Sequence, residues 1–432
     1  MKPAPAGGVA RTRVSFAWVG AFAAVSALAW GARGAAPALP WTDTGVPLPS
    51  WSRSVAARPG DQGKPGDLVL LAGPGRTAPR RGVSVPGATL PIFGAHTGGG
   101  CSGLWWLVGP LAWTCSDDAV LSPDDAAAPP APVEVDGLAR QYFFLGRDGA
   151  SAYASLESAG EGTADRELEG GWAVAVVEQR SWAGQRWART SKGLWIAVRD
   201  LSPARVSGFH GEAIDGASLD LAWIVPDRAS VYPLPSAKAK ATGARARFEV
   251  VHALEETGGY VRVGEGEWML GRDLARPHLA PPPADLVSEH ERWIDVELAT
   301  QTLVAYEGAR PVFATLVSTG RGPQGSGSAT PVGVHRIWVK LFASDMDNVE
   351  RDDLDAHYSL EDVPYVQFFD HAVGLHGTYW HQDFGRVKSH GCVNLAPLDA
   401  RRLFEFTGPR LPSAWAAAYP TPVDPGTLVR VR

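Results

Sequence analysis

Cysteine is scarce in this chain: three in 432 residues, at positions 101, 115 and 392. There is no CxxC and no HExxH, so the short-range signatures of structural zinc and of zinc peptidases are missing. An excess of one charge is missing too. Lys and Arg number 40 against 46 Asp and Glu, a net charge of −6 with the signs interspersed and no basic run. That excludes a nucleic-acid surface built on phosphate neutralisation. Beyond the N-terminus no segment is long and apolar enough to span a bilayer. Gly (49), Pro (35) and Trp (17) are plentiful instead. That mix favours β-modules joined by turns over helical bundles. The length fits about two to four domains.

The N-terminus has the pattern of an export signal. Lys2, Arg11 and Arg13 precede the uncharged, mostly apolar run Val14 to Trp30. Ala29-Trp30-Gly31 and Gly34-Ala35-Ala36 both fit the small-x-small cleavage pattern. Residues 1–36 read as a signal peptide or, because the run is long, as an N-terminal anchor. Either way the remainder is exported, to the periplasm or cell envelope, and any membrane contact is through this segment, as an inner-membrane anchor. No cysteine follows the run to carry a lipid. In an oxidising compartment the economical pairing is Cys101 with Cys115, which stabilises its module by roughly 3 kcal/mol in the chain-entropy model. The alternative is three free thiols, two of them buried. The pairing leaves Cys392 as the odd thiol, and a thiol kept in such a compartment suggests a use.

Breaker clusters divide the rest. Residues 37–80, rich in Pro, Gly and Ala, read as a flexible lead-in. "DDAAAPPAP" at 124–132 and "APPP" at 280–283 are further breaks. Between them lies a repeat. Trp187, Arg189, Trp195, Arg199 and Asp200 map onto Tyr260, Arg262, Trp268, Arg272 and Asp273 at a constant offset of 73. Trp105, Trp113 and Asp118 keep the same internal spacing more faintly. Each copy reads as strand, Gly-containing turn, strand. The pattern resembles the bacterial SH3-like domains found beside wall-active enzymes, with modules at 81–124, 138–206 and 215–283. The aromatics suit either a peptide- or glycan-binding groove or the interior of small barrels. Core packing is the expected reading, since small barrels need bulky residues inside.

A C-terminal domain is expected over 286–432. Ile294, Val296, Leu298, then Val304, Tyr306, then Val312, Ala314, Leu316 alternate between two turn points, a meander with one buried face. Arg321 to Ser328 is a Gly/Ser-rich loop expected to be mobile. Leu398 to Phe406 reads as a short helix with Leu398, Leu403, Phe404 and Phe406 on its apolar face, stopped at Thr407-Gly408-Pro409. The fold class is therefore mainly β: a mixed β domain or β-sandwich with one short helix, preceded by two or three small β-barrels.

Within that domain His376 to Asn394 reads HGTYWHQDFGRVKSHGCVN. A cysteine beside histidines can be deprotonated near neutral pH and attack carbonyls. His376 or His390 could serve as base and as leaving-group acid. Backbone N–H groups of His390, Gly391 and Cys392 could hold an oxyanion if the turn curls around the site, and Gly391 allows such a turn. The segment therefore suits acyl transfer through a thioester.

"HGT" followed by "SHGCVN" closely resembles the catalytic signature of the YkuD-type L,D-transpeptidases of bacterial cell walls, with Thr330-Pro331-Val332-Gly333 and Gly374-Leu375-His376-Gly377 as supporting matches. The resemblance covers about residues 290–432. It implies Cys392 as the nucleophile and His376 as general base and acid. It implies the amides of His390, Gly391 and Cys392 as oxyanion donors, and Ser389, Asn394 and Gly377 as orienting residues, with His390 part of the scaffold. Tyr365, in "PYVQFF", resembles a substrate-side tyrosine and equally suits a core. The implied reaction joins the L-centre of a peptidoglycan tetrapeptide stem to an acceptor amine with loss of D-alanine, giving 3→3 cross-links. Carbapenem-type inhibition is implied, and no metal or cofactor.

Other readings remain. Water as acceptor gives an L,D-carboxypeptidase, and a protein amine gives wall anchoring, by the same cysteine. A wall cysteine peptidase places its Cys before its His, the reverse of the order here. A wall-binding protein with an inactive catalytic domain conflicts with the intact signature. His376, His381, His390 and Cys392 offer zinc-type ligands, but the single Gly391 between the last two makes joint chelation awkward. His381 is expected at the surface or the substrate rim, and His335 and His371 have no assigned role.

Overall fold

In a computed structural model, the structure of the protein is described here for residues 45–59, 66–129, 134–216, 218–348 and 357–432. Residues 1–36, expected to be a signal peptide or anchor, lie outside the described residues. Among those described, no helix is long and apolar enough to cross a membrane. The protein is mainly β, with short α-helices only at Leu156–Glu161 and Pro397–Phe406 among them.

The C-terminal domain is a sandwich. One sheet has six strands, in the order Glu212–Ala213, Arg310–Leu316, Thr302–Glu307, Arg292–Glu297, Leu428–Val431, Gly333–Arg336. The last strand of the chain lies parallel to Arg292–Glu297, with Asp295 opposite Arg430. The facing sheet is led by the long hairpin Val339–Asp347 and Ser359–Asp370, extended by Val373–Gly377 and then Val393–Leu395. Ile294, Val296, Leu303, Phe313 and Val429 from one sheet meet Phe369, Leu375, Val393 and Leu395 from the other. The helix Pro397–Phe406 closes this core with Ala400, Leu403 and Phe404. Pro397 at its first turn has a preset φ and no N–H to leave unpaired. Leu398, expected on the apolar face, is exposed, and Asp399 is buried instead, accepting from Gly211 N at 2.9 Å and from Thr315 Oγ1.

The meander has two buried faces rather than one. Ile294 and Val296 face the sandwich, whereas Trp293, Val304, Tyr306, Ala314 and Leu316 face a second core with Phe209, Trp223 and Phe384. A sheet covered on both sides loses the apolar–polar alternation that would have sorted these residues.

The repeat is a repeat of structure. Trp187 pairs with Ala197 and Arg189 with Trp195, and the same register recurs as Tyr260 with Leu270 and Arg262 with Trp268. A 3-10 turn follows each hairpin, at Val198–Asp200 and Gly271–Asp273. Tyr153 and Tyr232 bridge Trp195 and Trp268 in the same way. The faint first copy keeps the register, with Trp105 opposite Cys115 and Leu107 opposite Trp113, and Cys101 is disulfide-bonded to Cys115. Trp105, Trp113, Trp187, Trp195 and Tyr260 are buried. They are core side chains, as small β-modules require.

These modules are not separate beads. Arg80–Ser84 pairs with Trp415–Ala418, which pairs with Val339–Asp347, and Ala173 pairs with Leu360, so one continuous sheet runs from the first module through the C-terminal domain into the second. Nor is 37–80 wholly a lead-in: Ser54–Ala57 and Val69–Leu71 are strands. Their partners, Thr89–Pro91, Ala119–Ser122 and Arg80–Ser84, come later in the chain, which composition alone does not reveal.

Candidate active site

Two adjacent parallel strands build the site. Val373–Gly377 carries His376, Val393–Leu395 carries Asn394, and the pairing sets these two residues opposite each other. Cys392 is the residue that leads into the second strand. A short turn before it is shaped by three contacts. Ser389 Oγ donates to Cys392 O at 2.5 Å and accepts from Gly391 N at 3.1 Å. Gly391 has φ +130, a conformation that favours glycine, and a Cβ there would crowd Ala329 O at 3.2 Å. Thr330 Oγ1 donates to Gly391 O at 2.7 Å and accepts from Gly320 N at 2.8 Å, which ties the Gly/Ser-rich loop to the turn.

Of the three amides expected to face an oxyanion, one is already engaged. The Gly391 N–H is engaged by Ser389 Oγ. The N–H groups of His390 and Cys392 have no partner among the described residues.

His376 is 1% exposed. Its Nδ1 lies 3.0 Å from Gly377 O, its Nε2 accepts from Asn394 Nδ2 at 3.0 Å, and its ring stacks on Trp380 at 5.6 Å. Burial pushes its pKa down to about 4, offset in part by the bond to Gly377. Cys392 is half-buried, with Sγ directed at Ala372 O at 3.7 Å. Desolvation by its surroundings pushes the thiol up to about 11, against a smaller lowering by the Gly374 N–H. The sequence alone suggests a cysteine ionised near neutral pH. The structure gives the reverse: burial disfavours the charged form of the Cys392 thiol and of the His376 imidazole, and both are neutral. In the substrate-free protein, alkylation of Cys392 by iodoacetamide should therefore be slow at pH 7 and rise about tenfold per pH unit toward pH 11. A plateau already reached near pH 7 would contradict this.

The histidines divide sharply. The exposed His390 ring is engaged by Arg321 through Nε2 and stacked on Tyr358 at 6.0 Å. Since Arg can only donate, that nitrogen accepts and the ring is neutral. His381, expected at the surface or rim, is half-buried behind Asn394, with Nε2 2.9 Å from Asn394 Oδ1. No spacing rule places it there. Among the described residues these three histidines and Cys392 do not gather their ligand atoms within a metal's reach. The structure thus brings together His376, Ser389, Gly391, Cys392 and Asn394. Gly377 contributes its carbonyl to His376 and has Ala400 and Pro364 where a side chain would go. Tyr365 is not part of the cluster. It is a core side chain packed near Phe342 and Phe404, its hydroxyl donating to Glu134 at 3.2 Å.

Residues 291–431 match the family model of YkuD, described as the L,D-transpeptidase catalytic domain. This segment is a YkuD domain.

Solved structures similar to the chain are L,D-transpeptidases. A mutant of the Enterococcus faecium enzyme is 22% identical, over 33% of this chain and 50% of that one, with a TM-score of 0.25. The Stackebrandtia nassauensis enzyme is 28% identical, over 34% of this chain and 57% of that one, TM-score 0.22. L,D-transpeptidase 3 of Mycobacterium tuberculosis, solved with a faropenem-derived adduct, is 19% identical, over 33% of this chain and 60% of that one, TM-score 0.26. The chain thus spans half the length of the Enterococcus protein it matches. No curated protein matches significantly. His376, Cys392 and their partners all lie inside the YkuD domain, while the repeated modules precede it.

Proposed function

We propose that the protein is an exported peptidoglycan L,D-transpeptidase with Cys392 as its nucleophile. The observation that carries this reading is the strand pairing inside a YkuD domain that sets His376 beside the turn delivering Cys392. Sγ attacks the carbonyl of the L-centre of a tetrapeptide stem, and the thiol proton passes to His376 Nε2 once that nitrogen leaves Asn394. Starting from a neutral pair, proton transfer accompanies attack and does not precede it. The negative charge develops toward the His390 and Cys392 N–H groups. Collapse breaks the bond to D-alanine, whose nitrogen takes the proton from His376, and leaves a thioester on Cys392. An amine from a second stem then attacks, gives its proton to His376 and restores the thiol, leaving a 3→3 cross-link.

The N-terminal pattern and the paired Cys101 and Cys115 support an exported protein acting in the periplasm or envelope, with residues 1–36 as signal or anchor. The three preceding modules, SH3-like in pattern, would serve as a wall-facing platform. The test is incubation with tetrapeptide muropeptides, read by mass spectrometry. D-Alanine release and dimer formation are expected, along with a carbapenem adduct on Cys392. Release without dimers would mark a carboxypeptidase. Neither turnover nor adduct with diverse stems would sink the proposal.

A further inference from the structure

A line of hydrogen bonds runs from a backbone donor to a backbone acceptor through three side chains. Asp383 N lies 3.1 Å from His381 Nδ1, His381 Nε2 lies 2.9 Å from Asn394 Oδ1, Asn394 Nδ2 lies 3.0 Å from His376 Nε2, and His376 Nδ1 lies 3.0 Å from Gly377 O. The two ends are chemically unambiguous. A backbone N–H can only donate and a carbonyl can only accept. Starting from Asp383, His381 Nδ1 must accept, so a neutral His381 carries its proton on Nε2. Asn394 must then turn its oxygen to His381 and its NH2 to His376. His376 Nε2 must accept, which leaves its proton on Nδ1, the nitrogen that faces Gly377 O. One assignment of three adjustable groups satisfies all four contacts, and reversing any one of them sets donor against donor or acceptor against acceptor.

We propose that His381 is a positioning residue for the catalytic base: acting through Asn394, it holds His376 as the tautomer with its proton on Nδ1 and an unprotonated Nε2.

The surroundings make this a fixed device and not a chance contact. The Asn394 backbone is pinned by reciprocal bonds with Ser318, N to O at 2.9 Å and O to N at 3.0 Å, so only its carboxamide can turn. Asp383 O accepts from Ser318 Oγ at 2.6 Å. The next residue, Phe384, is fully buried against Phe209 and Phe248 of the preceding region, and its carbonyl accepts from Arg247. Residues that precede the YkuD domain therefore hold the donor end of the line. His381 is the ionisable group whose field reaches His376; Asp383 and Lys388 act on His381, and Arg247 on Asp383. The strand Ser359–Asp370 and the helix Pro397–Phe406 also pack against the His376 strand, but the half-buried Glu361 and the buried Asp399 that they carry are engaged by Ala175 N and by Gly211 N and Thr315.

The role of His376 as the base rests on the function proposed above; its tautomer does not, so the test needs no substrate. Full-chain protein with 15N-labelled histidine rings is compared as wild type, His381→Ala and His381→Gln. Wild type should show His376 as the Nδ1–H tautomer. In His381→Ala the carboxamide of Asn394 is free to turn and offer its oxygen to Nε2–H. A tautomer mixture and an about tenfold higher proton affinity of His376 are expected. His381→Gln places an N–H where Nε2–H stood and should restore the wild-type spectrum. Asn394→Asp should move the proton to Nε2 and raise the proton affinity by at least about tenfold, which keeps the test decisive if His381→Ala does not fold. With turnover, the acid limb of kcat/KM should move upward in His381→Ala. An unchanged His376 spectrum in both His381→Ala and Asn394→Asp, a Gln variant no better than Ala, or a loss of kcat/KM equal at every pH would overturn the proposal.

Discussion

Cys392→Ala should abolish acyl transfer while leaving the fold intact. Removal of a covalent nucleophile costs on the order of 10⁴-fold or more, because the remaining donors and binding contacts cannot replace the bond it forms. Sγ gives its surroundings little support beyond accepting the Gly374 N–H. It is half-buried, and its contact with Ala372 O, at 3.7 Å, is weak. The turn that carries it is held by Ser389, Gly391 and Thr330, none of which the substitution touches. D-Alanine release and carbapenem adduct should both disappear, with the thermal midpoint within a few degrees of wild type, as expected for a loss near 1 kcal/mol. Persistent turnover, or an adduct of unchanged mass, would remove Cys392 from the mechanism.

The largest stability effect is expected far from the thiol, at Asp295. This carboxylate is 1% exposed and holds Arg430 of the last strand, Nε at 2.6 Å, and Arg432 just beyond it, Nε at 2.9 Å. Arg430 is itself mostly buried, its guanidinium 4.8 Å from the Trp293 ring. Asp295→Ala leaves a buried cation unpaired, at a cost of about 3–5 kcal/mol. It also loosens the parallel pairing by which Leu428–Val431 joins Gly333–Arg336 to the rest of the six-stranded sheet. Replacing the pair by apolar residues, Asp295→Leu with Arg430→Met, should recover most of that loss, since desolvating both charges consumes much of what their attraction returns. Denaturant unfolding of the single and double variants gives the comparison. A single variant as stable as wild type would mean that solvent screens the cluster.

How much of this was legible in the chain follows from how local each interaction is. The His–Gly–Cys segment is contiguous, and its strand pairing spans few residues, so its chemistry could be named in advance. The hairpin repeat was legible for the same reason: aromatics eight apart across one turn carry the same register in each copy. The Cys101 and Cys115 pairing closes a loop of that same hairpin. Features that depend on distant partners were not legible. Ser54–Ala57 is a strand because Ala119–Ser122 completes it. Leu398 is exposed and Asp399 buried because Gly211 and Thr315 supply the bonds that a buried carboxylate needs. Tyr365 belongs to the core because Glu134, from a linker far upstream, meets its hydroxyl.

The sequence by itself determined which groups are available for chemistry: a spare thiol, nearby histidines, and a glycine turn in the order and spacing of the YkuD signature. It also determined a mainly β chain with repeated hairpins. The tertiary structure decided the state of those groups. Burial holds both Cys392 and His376 neutral, Ser389 occupies one of the three amides, and Asn394 faces His376 with His381 behind it. The physical reason is that protonation and orientation depend on solvent exclusion and on hydrogen-bond partners, and the partners that fix this line arrive from residues as distant as Phe209 and Ser318.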